Sequence, residues 1–428
     1  MVMNTSQETP APTPAVGSGE GTHALQILVF SSLCAFLVGL DSLVVSPLLP
    51  NIAASTHTAE NVGGLLVTAY ALFYALAAPL FGPISDRLGR KKMIMAGMLL
   101  FTLATALTGV GESFSWLLLF RALAGLGGAM IMPSIFALAG DTFSYQQRGK
   151  AIGIIMAALI GSTVLGVPLG TLLAYVSTWR LPFWILGLLA LLALLLTGLF
   201  LPTTAPRRTL PVGPLKAYLG QFQAAFTNPS VIFALLSTLL WTIGLQGMFA
   251  YIGVYYQENF GLNVGQIGLV ILVAGLGSVA GLVFGGRLAD RIGKKVIVVC
   301  SAVVAAVGVL SVSLLTHVLI AAMIMHVIWS TSIGFGQSSL TALMSELSPK
   351  ARGTVLSLNS SAQYFGTTAA SLLAALLLAG SGFLSIGILC ALACLLVVPV
   401  VSLFVKEEVS PAPGSSSTGE APSLLKRS

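Results

Sequence analysis

Twelve continuous apolar stretches run along the chain, and each is as long as a helix that crosses a bilayer. They fall near 25–49, 62–84, 93–111, 115–139, 151–176, 182–201, 230–256, 266–286, 296–316, 318–343, 354–379 and 383–405. About 17–25 residues at 1.5 Å each span the hydrocarbon layer, and no single buried core needs so many such runs. Only 8% of the residues are charged, against about a quarter in a soluble domain, so lipid is the solvent this chain suits. The runs lack the alternation of an outer-membrane barrel, which leaves an all-helical membrane protein.

Residues 1–24 and 406–428 are rich in Pro, Ser, Thr, Ala and Gly and read as disordered tails. The stretch 202–229, with five prolines, reads as a linker between two six-helix halves, 25–201 and 230–405. No cleavable leader is expected, because the first apolar run lacks a basic flank and continues past signal-peptide length. The four cysteines lie inside apolar runs and read as small buried hydrophobes.

Charge sets the orientation. With twelve crossings, both tails and the loops around 86–92, 141–150, 202–229, 287–295 and 345–353 share one side. Eighteen of the 20 Lys and Arg residues lie there, Arg180 lies opposite and Arg121 lies within a span. Such an excess marks the cytoplasmic side. The net charge of +7 is therefore a topology signal beside anionic lipid, and no nucleic-acid partner is expected.

The chain also repeats itself. "GPISDRLGRKK" from Gly82 and "GGRLADRIGKK" from Gly285 place Asp86 and Asp290 204 residues apart. Arg148 and Arg352 share that offset, as do Gly64 and Gly268. One spacing shared by three features indicates a duplicated six-helix unit, with the halves related by an axis along the membrane normal.

These motifs carry a resemblance. The chain resembles the major facilitator superfamily, specifically its twelve-helix drug:proton antiporter branch of the chloramphenicol, purine-nucleoside and arabinose efflux type. Gly82, Asp86, Arg87, Gly89, Arg90 and Lys91 are similar to the family's loop signature, and Gly286, Asp290, Arg291, Gly293 and Lys294 to its second copy. "LLLFRALAGLGGA" around Arg121 resembles the fourth-helix motif, with Ala124 at a usually polar place. "LDSLVVSPLLP" around Asp41 resembles the first-helix motif. Gly161, Gly166, Pro168 and Gly170 resemble the antiporter motif of the fifth helix, with Val167 inserted into the usual Gly-Pro pair. The resemblance implies alternating access, export energised by a proton gradient without a bound cofactor, and fifth and eighth helices packed together. Gly275, Gly277, Gly281 and Gly285 are the expected eighth-helix surface of that seam.

An ionisable group at depth costs several kcal/mol unless paired or hydrated, and Asp41, Arg121 and His326 are the ones well inside a span. Asp41 and Arg121 both fall roughly 9–12 Å below the outer boundary at 1.5 Å per residue, so they can pair. That pair is either a stabilising ion pair or a proton-coupling site in which Arg121 tunes Asp41. His326 stands near the repeat equivalent of Arg121, and serves either packing or proton transfer.

Tyr70, Tyr74, Gln246, Phe249, Tyr251, Asn359 and Gln363 are candidates for an aromatic and polar cavity between the halves. At the loops, Asp86 and Asp290 are expected to hold the helix starts near Gly353 and Gly149, with Arg90 on Asp141 and Lys294 on Glu346. These contacts would latch the cytoplasmic side.

The functional expectation is a monomeric, proton-coupled exporter of small, mostly apolar or polyol-like molecules in the plasma membrane, with both termini cytoplasmic. A proton-coupled uptake symporter and a non-transporting receptor are the alternatives. The sequence lacks a phosphate loop, a nucleophile elbow or a metal cluster, so neither an enzyme nor a metal site is expected.

Overall fold

The computed structural model describes residues 18–201, 223, 226–347 and 352–405, and these form helices with no strand among them. The first half comprises α1 (Ser18–Ser55), α2 (Leu65–Leu88), α3 (Arg90–Thr108), α4 (Phe114–Thr142), α5 and α6 (Leu181–Phe200). Helix α5 runs from Tyr145–Gly161 through a π turn, Ser162–Gly166, into Val167–Val176. In the second half, α7 consists of Pro229–Ala250 and Ile252–Phe260, broken at Tyr251, and is followed by α8 (Val264–Ile292), α9 (Lys294–Leu314) and α10 (Leu319–Glu346).

Eleven helices are long and apolar enough to cross a membrane, against the twelve expected, because the last continuous helix holds two crossings. Within Arg352–Pro399, Gly382 is non-helical at φ 73° and ψ −169°. We number the parts α11 (352–381) and α12 (383–399). Their far ends lie beside the same turns of α7: Thr238 donates to Asn359 at 2.7 Å, and Phe404 stacks on Phe233 at 4.4 Å. The chain therefore reverses at Gly382, and the apolar runs 354–379 and 383–405 are separate crossings. That backbone region is open essentially to glycine alone.

The two halves repeat the same pairings. Helix α2 packs on α4, α3 on α4 and α6, and α1 on α5; α8 packs on α10, α9 on α10 and α12, and α7 on α11. The duplicated loop is built on its glycines. Gly89 (φ 92°) and Gly293 (φ 109°) join α2 to α3 and α8 to α9 through a conformation that side chains rarely adopt. We call the side bearing these loops the motif face and the opposite side the far face.

Several expected boundaries move. Residues 18–24, read as tail, are helical and lengthen α1, because a helix already nucleated by the apolar run extends cheaply into its flank. Residues 1–17, most of the 202–229 linker and the 406–428 tail lie outside the described residues. At the linker's end Asn228 caps α7, its Oδ1 accepting from Ser230 N at 3.0 Å, with Pro229 in the first turn. The π turn of α5 follows from Pro168, which has no N–H to offer the carbonyl four residues back.

Helix α5 packs on α8 as expected, but most of the glycines assigned to that seam serve other neighbours. Gly275 faces Val164 of α5, but Cβ atoms at Gly277, Gly281 and Gly285 would run into Thr331, Phe335 and Ser338 of α10. Gly166 and Gly170 face Leu40 and Val44 of α1 instead. Small residues serve whichever neighbour approaches closest, and for Gly277, Gly281 and Gly285 of α8 and for Gly166 and Gly170 of α5 that neighbour belongs to the same half.

Replacing Gly382 by alanine should lower the thermal unfolding midpoint, at a cost of about 1–3 kcal/mol, because no Cβ contact offsets the strain. Gly380→Ala, at a neighbouring glycine that also meets no atom within 4 Å, is the control expected to change little.

Candidate functional site

Four elements of the first half converge on one buried carboxylate. Asp41 of α1 accepts Arg121 Nη1 at 2.7 Å on Oδ2 and the Thr105 hydroxyl of α3 at 3.3 Å on Oδ1. Arg121 Nη2 also donates to the Asp41 backbone carbonyl at 3.1 Å. Both side chains of the ion pair are 0% exposed. In hydrocarbon neither charge is tolerable alone, so each is the other's condition for burial. The expected pairing is present, and Thr105 is the member that sequence reading missed.

Helix α2 lies against the pair because α4 presents glycine. A Cβ on Gly125 would overlap the Tyr70 backbone, and one on Gly128 would crowd the Tyr70 and Tyr74 rings. The Arg121 guanidinium consequently sits 4.5 Å from the Tyr70 ring centre, a cation–π distance. Arg121 Nε and the Tyr70 hydroxyl are buried without a hydrogen-bond partner among the described residues. Tyr70 packs at 6.4 Å from Tyr74 and 6.5 Å from Tyr364, and Tyr74 stacks on Tyr364 at 3.6 Å. Tyr364 belongs to α11, so the aromatic cluster joins the charged pair to the other half. Sequence reading chose its neighbour Gln363, which is only half-buried.

The remaining cavity candidates are spread out. Phe249 is buried and Gln246 half-buried on α7. Asn359 is engaged by Thr238 inside the second half. Tyr251 lies at the far end, where its hydroxyl donates to the Asn61 carbonyl at 2.6 Å. His326 is buried, its Nδ1 3.1 Å from the Tyr256 hydroxyl and its ring beside Trp329. Those partners all lie in the second half, so the structure gives His326 a packing and hydrogen-bonding role and brings no carboxylate to it among the described residues. A groove of about 540 Å³ lined by Met95, Leu99, Leu194 and Leu199 lies between α3 and α6, away from the charged pair, and offers only hydrocarbon.

At the motif face both predicted ion pairs form: Arg90 Nε to Asp141 at 3.1 Å and Lys294 to Glu346 at 2.9 Å. Arg90 also holds Asp86 and the Ser85 hydroxyl, the latter at 3.0 Å. Asp86 thus serves its own loop, and Asp290 is exposed, as are Arg87 and Arg291. These contacts lie within each half, and the expected latch across the halves falls on residues outside the described side chains. Arg148, Arg352, Gly149 and Gly353 lie outside the residues whose side chains the structure describes. A Cβ on Gly82, Gly161 or Gly286 would meet no heavy atom within 4 Å.

The halves meet instead toward the far face. Besides the Tyr251–Asn61 bond, the Thr68 and Ser371 hydroxyls lie 2.7 Å apart across α2 and α11. Gly253 of α7 sits on the Ser46 and Pro47 carbonyls of α1. The duplicated pair Gly64 and Gly268 does the same work twice: Gly64 receives Tyr251 of the second half, and Gly268 receives Thr171 of the first. Among the described residues the far side is sealed, while the motif loops bond within their own halves.

Comparison with known proteins agrees with this architecture. The profile described as Major Facilitator Superfamily matches residues 31–367 and 253–427. The chain belongs to that superfamily. An uncharacterised transporter of the superfamily from Bacillus subtilis, YceJ, is 32% identical over 343 residues, 80% of this chain and 86% of YceJ. Multidrug resistance protein 1 of the same organism is 31% identical over 268 residues, 62% of this chain and 66% of that protein. The quinolone resistance protein NorA of Staphylococcus aureus is 28% identical over 241 residues, 56% of this chain and 61% of NorA. A bacterial homologue of the human lysosomal transporter Spinster, solved inward-facing and unoccupied, shares the fold with a TM-score of 0.66 at 18% identity, over 90% of this chain and 95% of that one. This superfamily member is a multi-pass membrane transporter.

Removing one partner of the buried pair should be costly. Arg121→Ala is expected to lose about 3–5 kcal/mol, because it leaves Asp41 buried without its cation. The measurement is thermal unfolding in detergent, with Thr105→Val as the milder comparison, at about 0.5–1.5 kcal/mol for one lost hydrogen bond.

Proposed function

We propose that the chain is a proton-coupled exporter of small, mostly apolar or polyol-like molecules, working as a monomer by rocking of its two halves. The motif face is then cytoplasmic, with both termini on that side of the plasma membrane, and the far face is the outer side. The supporting observation is the fully buried Asp41–Arg121 pair, joined through Tyr70 to a tyrosine cluster that crosses the halves. Relatives described as multidrug and quinolone resistance proteins support export as the direction.

The chemistry follows from what each group can hold. An ionised Asp41 balances Arg121 in a medium where an unpaired charge costs several kcal/mol. When Asp41 takes up a proton, its two oxygens lose their claim on the cation, and Arg121 is left with the Asp41 backbone carbonyl and the Tyr70 ring. A cargo molecule lodged at Tyr70, Tyr74 and Tyr364 competes for the same contacts. Cargo and proton therefore favour different arrangements of one cluster, which is what exchange requires. In the conformation described, the halves touch on the far side through Tyr251–Asn61 and Thr68–Ser371. The energy comes from the proton gradient, and the cycle needs no resident cofactor. Gly82 and Gly286, which face open space here, are where the motif loops would approach the opposite half in the other state.

In proteoliposomes, Asp41→Asn should abolish transport driven by a pH gradient while the protein still inserts. Wild-type coupling in that variant would remove Asp41 from the mechanism. Arg121→Lys should keep the charge but shift the pH dependence, since an ammonium cannot reproduce the forked contact.

A further inference from the structure

The groove between α3 and α6 has a floor, two rims and one charged end. Helix α3 leaves the motif face at Arg90 and α6 returns to it at Phe200. The groove, of about 540 Å³, lies early in the one and late in the other, and so on the motif side of the bilayer. Its floor is buried Leu194 together with Gly198, where a Cβ would stand 3.1 Å from the Met95 methyl. Its rims, Ala96 and Leu99 on α3 and Leu195 and Leu199 on α6, are exposed.

The charged end is built from two adjacent lysines. Lys91 Nζ donates to the Gly198 and Leu201 carbonyls at 2.9 and 2.6 Å, closing the end of α6, whose last carbonyls have no partner within the helix. Lys92 is exposed and precedes Met95, Ala96 and Leu99 by three, four and seven residues, a spacing that puts all four on one helix face. Side chains lean toward the start of their helix, so Lys92 reaches for the headgroup layer while the stripe below it runs about 10 Å into hydrocarbon. Arg90, Lys91 and Lys92 are the charged residues of α3, and α6 has none. Arg90 is held by Asp86 and Asp141, so neither wall of the groove offers Lys92 a carboxylate. The other half does not repeat this arrangement. At the offset of 204 residues Lys295 answers to Lys91, but Val296 stands for Lys92, Cys300 for Ala96 and Ser402 for Gly198.

We propose that this groove seats an acyl chain of one anionic phospholipid from the motif-side leaflet, with the lipid phosphate on Lys92. The walls are hydrocarbon, so the chain is held by fit, as helices are held to one another in a bilayer. Selection for negative charge comes from Lys92, since one lysine beside an anionic headgroup raises affinity about fivefold. Both walls belong to the first half and pack on each other, so the seat does not depend on how the two halves are placed. It needs only that the chain crosses a bilayer and is independent of proton-coupled export.

The test is native mass spectrometry of the full chain released from detergent, with phosphatidylglycerol or phosphatidylcholine of the same acyl chains added. One phosphatidylglycerol per chain should stay bound under activation that strips the rest, with about fivefold higher affinity than phosphatidylcholine. Lys92→Gln should erase that preference while leaving one retained lipid. Ala96→Trp, which fills the groove from an exposed position, should remove the retained lipid whatever its headgroup. Leu199→Trp fills it from the α6 rim and serves if Ala96→Trp does not fold. Cys300→Trp, the same change at the exposed repeat equivalent, should alter nothing. Equal affinity for the two lipids in the parent protein, a preference unchanged in Lys92→Gln, or a lipid retained in both groove-filling variants overturns the proposal. So does a loss in Cys300→Trp equal to that in Ala96→Trp, which marks a general lipid coat. Displacement of the retained lipid by glycerol phosphate would place the affinity in the headgroup alone and likewise overturn the acyl seat.

Discussion

Hydrocarbon offers no partner to a backbone N–H or C=O and no screening to a charge, and this absence orders the whole molecule. Every crossing must be a helix, since only a helix satisfies its own backbone. Helices already apolar on all sides gain little from hiding from lipid, so they associate by fit. Gly125 lets α2 approach α4, and Gly281 and Gly285 let α8 approach α10, by the absence of a side chain. The same constraint makes Asp41 and Arg121 inseparable, and their contact ties α1, α3 and α4 into one half.

The molecule uses its two kinds of charge differently. At the motif face Arg90, Asp86 and Asp141 are partly exposed, where an ion pair contributes about 0–1 kcal/mol and mainly shapes the loop. At depth the Asp41–Arg121 pair is fully buried, and its state of protonation alters what Arg121 must lean on. The tyrosines beside it reach α11 through Tyr364. A charge, a ring and a ring from the other half therefore touch in sequence, from Arg121 through Tyr70 and Tyr74 to Tyr364.

Much of the site was legible from residue type and spacing. Asp41 and Arg121 stand out because ionisable groups are so rare in the spans, and matching their depths was enough to pair them. Arg90–Asp141 and Lys294–Glu346 followed from the repeat. Thr105 and Tyr364 were not legible, since a threonine or tyrosine on a membrane helix has many uses and only the facing of α3 and α11 selects one. Gly277, Gly281 and Gly285 of α8 were assigned to the wrong neighbour for the same reason: a small residue announces close approach without naming the helix that approaches. The turn at Gly382 was visible as a gap between apolar runs, although the backbone passes through it with its helical pattern almost unbroken.

By itself the sequence determined the solvent, the number of crossings, the duplication and the side on which the positive loops lie. These depend on composition, period and offset, which survive any rearrangement of neighbours. Tertiary structure alone decided which faces meet: that the halves are sealed at Tyr251, Asn61, Thr68 and Ser371 on the far side, that Arg90 holds Asp86 in their shared loop, and that Tyr74 of one half stacks on Tyr364 of the other. Those contacts join residues hundreds of positions apart through rigid-body placement of two similar halves. Local pattern does not encode such a placement, because it depends on surfaces that exist only once each half has folded.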